Sequence, residues 1–247
     1  AAAPARTTAS LRTDTDGTLL PSEPSQRGGR SVGVPGTVAV LAMAHQRHGR
    51  LAWRELFDPA DEIAEKGFAM PRYLQGIPPA PGAARDLAEL RELYFAADGT
   101  PLPVGATVRN PAYAQTMRRL ALGGPAAFLD GGGARAIVEA AQRGFRPSLM
   151  TEDDVREYRA VERDPVCAPF LAYRVCTMAP PSFGGLVVLQ VLQMVEARAG
   201  GRFDFDDAAF AHLYAEAGKL AQADRRQYVG DPDFVAVPVA ALASPAY

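Results

Sequence analysis

Several features that would point to a ligand class are scarce in this 247-residue chain. Its two cysteines, Cys167 and Cys176, are too few by themselves for a disulfide framework or a four-ligand zinc site. The formal net charge is −2, so no bulk field attracts the chain to nucleic acid or to an anionic membrane. No apolar run approaches the ~18 residues of a membrane span. The longest apolar helix candidate, near 186–195, is broken by Gln190 and Gln193.

The sequence begins at Ala1 instead of Met and shows no basic segment followed by an apolar one. We expect any targeting segment to have been removed or to lie outside this sequence, which leaves the compartment open. The composition that remains, with 48% apolar residues and moderately raised glycine and proline, is typical of a globular domain with a sizeable core and many loops.

The residues that begin and end helices indicate how the chain is organised. Residues 1–30 are rich in Ala, Thr, Ser, Arg and Pro without periodicity, which predicts an extended or disordered arm. Residues 31–247 are predicted to form one predominantly helical domain. Asp58 and Asn110, each followed by proline, are predicted helix N-caps, as is Ser182 before a helix that reaches about Arg198. Further helices are predicted at 38–48, at 134–143 and at 206–228, and Thr151 with Asp154 resembles a capping box.

The helix at 206–228 carries the clearest periodicity. Apolar residues recur there at spacings of three and four, which predicts one buried stripe. The stripe consists of Phe210, Leu213, Tyr214, Ala217, Leu220 and Ala221.

Two short strands are predicted at 165–170 and 173–178, joined by the poor turn sequence Leu171-Ala172. Counting outward from the turn pairs Cys167 with Cys176 at a non-hydrogen-bonded position, where side chains lie closest. Two alternatives remain for this pair. A cross-strand disulfide would form in an oxidising compartment. The favoured interpretation is two small apolar side chains on a sheet face.

The histidines are weak candidates for chemistry. His45 and His48 have a spacing that some metal sites use, but no Cys or acidic cluster completes such a site, so we interpret them as solvent-facing or capping residues. His212 lies four residues before Glu216, which favours a helical side-chain pair over a catalytic acid–base pair. The sequence predicts no metal ligand and no cofactor.

Two glycine clusters and one charged cluster complete the candidates. The run 131–133 precedes a helix and could bind an anion, but a flexible turn is the better interpretation. Gly184-Gly185, after two prolines, is typical of a close-packing joint. The charges of 224–226 and 231–233 are interpreted as a solvated helix end with a capped turn, and a role in docking a partner is the alternative. We find no complete Ser-His-Asp set or carboxylate pair, so no catalytic residue is assigned and the substrate-binding residues stay unknown.

Five segments in order resemble the γ-glutamyltranspeptidase (γ-glutamyltransferase) family. They include GRSVGVPGT at 29–37, MAPPSFGG at 178–185 and ADRRQYVGDPDF at 223–234, together with 51–68 and 150–163. The family's run of prolines before Ser is interrupted here by Ala179, and Phe183 replaces a common Ser. These two departures bear on the substrate class more than on the fold.

The resemblance implies a fold and a mechanism for a longer parent protein. The family is an α+β, N-terminal-nucleophile (αββα) hydrolase made as one precursor that cleaves itself, and the new amino-terminal Thr of the small subunit becomes the nucleophile. This chain resembles an internal piece of the large subunit, with a short β-hairpin near 165–178. The arginine that grips the substrate's α-carboxylate would precede Ala1, since Ala3-Pro4 matches a dipeptide just after it. No catalytic residue is therefore carried over.

The same resemblance sets the expected partners. The parent would act on γ-glutamyl compounds such as glutathione, pair with a small subunit of the same precursor, and be periplasmic or secreted. Two alternatives stay open, a segment of a related amide acylase and a non-catalytic helical interaction domain. We expect exposed apolar surface where the small subunit would dock.

Overall fold

The structure, a computed structural model, separates into two compact units, Ala1–Ala160 and Val161–Tyr247. It describes residues 28–75, 88–129, 132–143, 146–200 and 203–247, together with residues 4, 13 and 18. The predicted arm at 1–30 lies almost wholly outside the described residues. The described regular structure is mostly helical with short antiparallel strand pairs, as the sequence predicts.

The first unit is mostly helical and contains one pair of two-residue strands. The strands β1 (Phe68–Ala69) and β2 (Thr107–Val108) pair antiparallel. Short 3₁₀ turns occupy Gly29–Ser31 and Trp53–Phe57. The helices are α1 (Thr37–His48), α2 (Asp58–Lys66), α3 (Arg72–Gln75), α4 (Ala88–Tyr94), α5 (Pro111–Gly123), α6 (Ala126–Leu129), α7 (Gly132–Gln142) and α8 (Glu152–Arg156).

Helix ends in this unit test the capping predictions. The Asn110 side chain accepts a hydrogen bond from the Tyr113 backbone amide, and Thr151 and Asp154 form a complete capping box, so both predictions are confirmed. The cap predicted at Asp58 is wrong. The 3₁₀ turn runs directly into α2, so Asp58 is the first helical residue and Phe57 takes the cap position. The Asp58 carboxylate therefore lies at the positive end of the helix dipole.

The core of the first unit joins two of the five family-like segments. Val34, from 29–37, is buried with Met150 and Val155, from 150–163. Gly29 lies so close to α7 that a Cβ there would be 1.7 Å from the Ala141 carbonyl oxygen. These contacts show that the two segments owe their composition at least partly to packing.

The second unit begins with the predicted hairpin. Strands β3 (Val166–Phe170) and β4 (Tyr173–Thr177) pair antiparallel, with Phe170 opposite Tyr173 and Cys167 opposite Cys176, which confirms the predicted register. Helices α9 (Gly184–Ala199), α10 (Ala208–Tyr228) and α11 (Val239–Leu242) follow. Helices α9 and α10 pack together through a cluster comprising Val191, Val195, Ala217 and Ala221.

Cys167 and Cys176 form a disulfide, so the favoured interpretation of two unlinked apolar side chains is wrong. The poor turn sequence between the strands is compensated by tertiary contacts. Leu171 adopts φ 51°, an unfavourable region for a branched side chain, and its backbone amide donates to Glu196 Oε1 at 2.9 Å. The disulfide and this hydrogen bond hold a turn that its own residues do not favour.

Other predictions in or next to the helices are partly wrong. Ser182 does not cap α9; its backbone amide bonds the Ala179 carbonyl in the turn, and Phe183 takes the cap position. Gly132 and Gly133 lie in α7 and are not a flexible turn, while residue 131 is outside the described ranges. Of the predicted α10 stripe, Tyr214 and Leu220 are 59% and 60% exposed, because the stripe spans a wider arc than α9 covers.

Candidate functional site

The start of α9 is a close-packing joint, as the glycine pair predicts. Gly185 is buried, and a Cβ on it would lie 2.0 Å from the Met178 carbonyl oxygen and 2.8 Å from Thr177 Oγ1. Gly184 differs, because the nearest atom to its added Cβ is Ser182 Oγ at 3.8 Å. Only the second glycine is therefore required for the helix to approach the end of β4.

The same joint is connected to the end of α10 by an aromatic contact. The guanidinium carbon of Arg225 lies 3.4 Å from the centre of the Phe183 ring, a cation–π geometry. Arg225 also donates to Gln222 Oε1 at 3.1 Å, which orients it along α10. The contact uses Phe183, the residue at which this sequence departs from the common Ser.

A second connection joins the chain before the hairpin to the turn after α10. Arg163 donates to Asp233 Oδ2 at 2.7 Å and lies 3.8 Å from Asp231 Oδ1. The hydrogen bond to Asp233 is the main reason that the pKa of Arg163 is raised. The interpretation of 231–233 as a capped, solvent-facing turn is consistent with the Asp233 backbone amide, which donates to Asp231 Oδ1 at 3.1 Å. The pairing with Arg163 was not predicted, and an exposed pair of this kind stabilises only modestly.

A polar network that the sequence analysis missed lies between α9 and α10. Gln190, only 5% exposed, donates to Asp224 Oδ2 at 2.8 Å, and the Tyr247 hydroxyl donates to Asp224 Oδ1 at 3.1 Å. The bond to Asp224 is also the main reason that the pKa of the Tyr247 phenol is raised. Gln193 donates to the Ala243 carbonyl oxygen at 3.2 Å. The sequence feature that could have indicated this network is the pair Gln190 and Gln193, which interrupts an apolar helix.

The network lines a groove of ≈ 800 Å³ within the second unit. Its walls combine the apolar side chains of Met194, Leu213 and Leu242 with the polar groups of Gln190 and Asp224. Gln190 and Asp224 are bonded to each other, while Arg198, His212 and Glu216 also line the groove. An apolar groove with a few polar groups has the general form of a binding pocket.

The histidines take structural contacts. His45 Nε2 lies 2.9 Å from the Leu51 carbonyl oxygen and its ring meets Trp53 edge-on at 5.3 Å, whereas His48 is exposed. Glu216 pairs with Lys219 at 2.5 Å, and that hydrogen bond is the main reason its pKa is lowered, while His212 adds a weaker electrostatic effect. Among the described residues, no group of three His, Cys, Asp or Glu side chains is placed to hold a metal ion.

Single residues from three of the five segments, Arg163, Phe183 and Arg225, thus make contacts within the second unit. The family model described as gamma-glutamyltranspeptidase matches residues 1–247. The chain belongs to the gamma-glutamyltranspeptidase family. It is 33% identical over 246 residues to the glutathione hydrolase proenzyme of Escherichia coli strain K12, covering 99% of this chain and 42% of that protein.

Relatives with a different name are similarly close. The acylase ACY 1 proenzyme of Pseudomonas sp. strain V22 is 34% identical over 226 residues, covering 89% of this chain and 39% of that protein. The chain thus spans about two-fifths of the length of the curated gamma-glutamyltranspeptidase relatives that it matches. Identity alone does not separate hydrolase-named from acylase-named members, because both stand at about the same value.

Solved structures confirm the expected fold class, a mostly helical α+β part of an N-terminal-nucleophile hydrolase. The Helicobacter pylori gamma-glutamyltranspeptidase superposes with a TM-score of 0.90 at 28% identity, covering 100% of this chain and 70% of that chain. The enzyme from Pseudomonas nitroreducens, complexed with L-DON, gives 0.82 at 31% identity, covering 99% and 72%.

Three of the family-like segments contribute to contacts in the second unit. Segments 178–185 and 223–234 contact each other through Phe183 and Arg225, and 150–163 reaches the latter through Arg163. Each contact fixes one element against another inside the second unit. Residues of the family-like segments therefore make packing and polar contacts with one another. No helix in the described ranges is both long enough and apolar enough to cross a bilayer.

Proposed function

We propose that this chain forms part of the large-subunit scaffold of a γ-glutamyltransferase or γ-glutamyl hydrolase whose nucleophile, an amino-terminal Thr, lies outside it. The observation that carries the proposal is a difference in coverage. The chain covers 70% of the solved H. pylori chain but 42% of the E. coli proenzyme. That relation is expected when precursors of this family are divided into two chains and this sequence belongs to the first.

The proposed chemistry is acyl transfer through a covalent intermediate. The Thr hydroxyl would attack the γ-glutamyl carbonyl with its own α-amine as general base, and the acyl group would then pass to water or to an amine. Glutathione and related γ-glutamyl compounds are the proposed substrates. In this scheme the described residues contribute no reacting group. They hold the hairpin and helices that a small subunit packs against.

The partner surface is supported by exposed apolar side chains on and around α10. Tyr214 and Leu220 belong to the helix's apolar stripe yet are 59% and 60% exposed, and Phe205 and Phe234 are 82% and 86% exposed. Large apolar side chains at such exposure are what a face covered by another polypeptide would present. We propose that the small subunit of the same precursor covers at least some of these exposed side chains.

The disulfide supports the proposed compartment. Cys167 and Cys176 are bonded on a largely exposed hairpin face, and disulfides of this kind persist mainly in oxidising surroundings. We propose a periplasmic or secreted location for the parent protein, as the family resemblance implies.

Activity measurements test the proposal directly. The isolated 247-residue chain is expected to release no product from a γ-glutamyl anilide, because it lacks the nucleophile, whereas the product of the complete gene is expected to turn over. Circular dichroism must show the isolated chain to be helical, so that its inactivity is not a failure to fold. Active-site-titratable turnover by the isolated chain would contradict the proposal.

An amide acylase with the same mechanism is the second candidate. It is supported by the 34% identity to the ACY 1 proenzyme, which is about as high as the identity to the glutathione hydrolase proenzyme. Ala179 and Phe183 depart from the family pattern and leave the substrate class open. Assaying the complete gene product on a γ-glutamyl anilide and on an N-acyl β-lactam side by side distinguishes the two. Turnover of the β-lactam amide alone would favour the acylase.

A further inference from the structure

The two faces of the β3–β4 hairpin differ sharply in exposure. On the inner face Ala168 is 3% exposed, Phe170 packs against Phe203 with ring centres 5.7 Å apart, and Thr177 lies against Gly185. The outer face carries the disulfide, since side chains alternate along each strand. The two half-cystines are not equivalent, because Cys176 is exposed and Cys167 is half-buried.

The neighbours of the disulfide leave it open to small molecules. Pro165 and Pro169 flank Cys167 on the same face of β3, Arg174 and Met178 flank Cys176 on β4, and all four are exposed. Pro169 lies directly opposite Arg174 in the register. The Arg174 guanidinium thus places a positive charge on the face that an incoming thiolate would approach, and a nearby cation favours the thiolate form.

We infer that the Cys167–Cys176 disulfide is a thiol–disulfide exchange site at which a small thiol attacks Cys176. In the first step the thiolate sulfur bonds to Cys176 Sγ, the Cys176–Cys167 bond breaks, and the electron pair leaves on Cys167 as a thiolate. A second thiolate attacks the small-thiol sulfur of the mixed disulfide. This step releases the symmetrical small-molecule disulfide and leaves Cys176 as a thiolate. Protein and thiol exchange two electrons in total, so no further oxidant or reductant is required.

The choice of sulfur follows from access, because exchange rates depend on which sulfur the thiolate can reach. The leaving Cys167 thiolate stays beside the mixed disulfide, held by the hairpin register, so it can attack Cys176 and restore the original bond. Modification at Cys176 is therefore reversible. The inference does not rest on the proposed acyl transfer, since the exchange uses none of that chemistry.

The test uses protein from the complete gene and 2-mercaptoethanol, which has no γ-glutamyl bond, so its outcome is independent of the enzymatic activity. After brief reaction under native conditions and an acid quench, peptide mapping by mass spectrometry locates the adduct. We expect mixed disulfide on Cys176 to exceed that on Cys167 by about fivefold or more, and the difference to disappear when the protein is denatured first. The Cys167→Ser variant, treated instead with the disulfide of 2-mercaptoethanol, should accumulate the Cys176 adduct. The Cys176 thiolate attacks that disulfide and releases 2-mercaptoethanol, and no Cys167 thiolate is present to reverse the step.

Peptide mapping of the wild-type protein tests the inference even if the Cys167→Ser variant fails to fold. Adduct found mainly on Cys167 would overturn the inference. It would also be overturned by a disulfide that resists the thiol in the native protein but reacts once the protein is denatured.

Discussion

Replacing Gly185 by alanine is expected to lower the free energy of unfolding of the second unit by about 3 kcal/mol, the upper part of the range for overpacked sites. The added methyl would lie 2.0 Å from the Met178 carbonyl oxygen and 3.0 Å from its carbonyl carbon. Backbone atoms cannot rotate away as a side chain can, so either α9 or the end of β4 must shift. The buried neighbours Leu186 and Leu189 would move with the helix.

Gly184→Ala is the matched control, one residue earlier in the same segment. Its methyl would meet nothing closer than Ser182 Oγ at 3.8 Å. Because alanine reduces the freedom of the unfolded chain, this variant is expected to be neutral or more stable by about 0.5 kcal/mol. Urea unfolding followed by circular dichroism measures both variants. Equal effects of the two substitutions would contradict the close-packing account of the joint.

Trp53→Ala is expected to destabilise the first unit by about 3 kcal/mol, as for other large aromatic truncations. The indole Nε1 donates to the Leu120 carbonyl oxygen at 2.9 Å, and the ring meets His45 and Phe57 edge-on at 5.3 Å and 5.1 Å. Removing the ring leaves a cavity among α1, the 3₁₀ turn and α5. It also removes one of the two hydrogen bonds that the Leu120 carbonyl oxygen accepts, the other coming from the Gly124 backbone amide at 2.9 Å.

Trp53→Phe separates the two contributions. The phenyl ring keeps most of the aromatic contact and loses the hydrogen bond, so the expected loss is about 1 kcal/mol. Tyr73→Ala serves as the surface control, because Tyr73 is 74% exposed and its truncation should fall within about 0.5 kcal/mol of wild type. Thermal unfolding by circular dichroism reports all three. A Trp53→Ala variant as stable as Tyr73→Ala would contradict the packing role assigned to Trp53.

Local signals predicted much of this fold. The caps at Asn110 and Thr151 succeed because a side chain three residues from a backbone amide decides them. The register of Cys167 with Cys176 succeeds because a two-residue turn fixes every pair beyond it. The cap predicted at Ser182 is wrong because the two prolines before it determine the turn, and helix-capping preferences do not include that constraint.

Contacts between distant residues were beyond such signals. Gln190 and Asp224 are separated by 34 positions, and the residues next to each of them do not indicate that the two side chains are paired. The exposure of Tyr214 and Leu220 was likewise hidden, because periodicity marks an apolar stripe but not how much of it a neighbouring element covers. The disulfide depended on an oxidising compartment, which the sequence left open.

The central claim is that this chain is scaffold for a nucleophile on another chain of the same precursor. Amino-terminal sequencing of the denatured gene product, separated on a gel, tests it most directly. We predict two polypeptides, of which the smaller begins with Thr and the larger contains the residues described above. A single uncleaved polypeptide would contradict the account and favour a non-catalytic interaction domain.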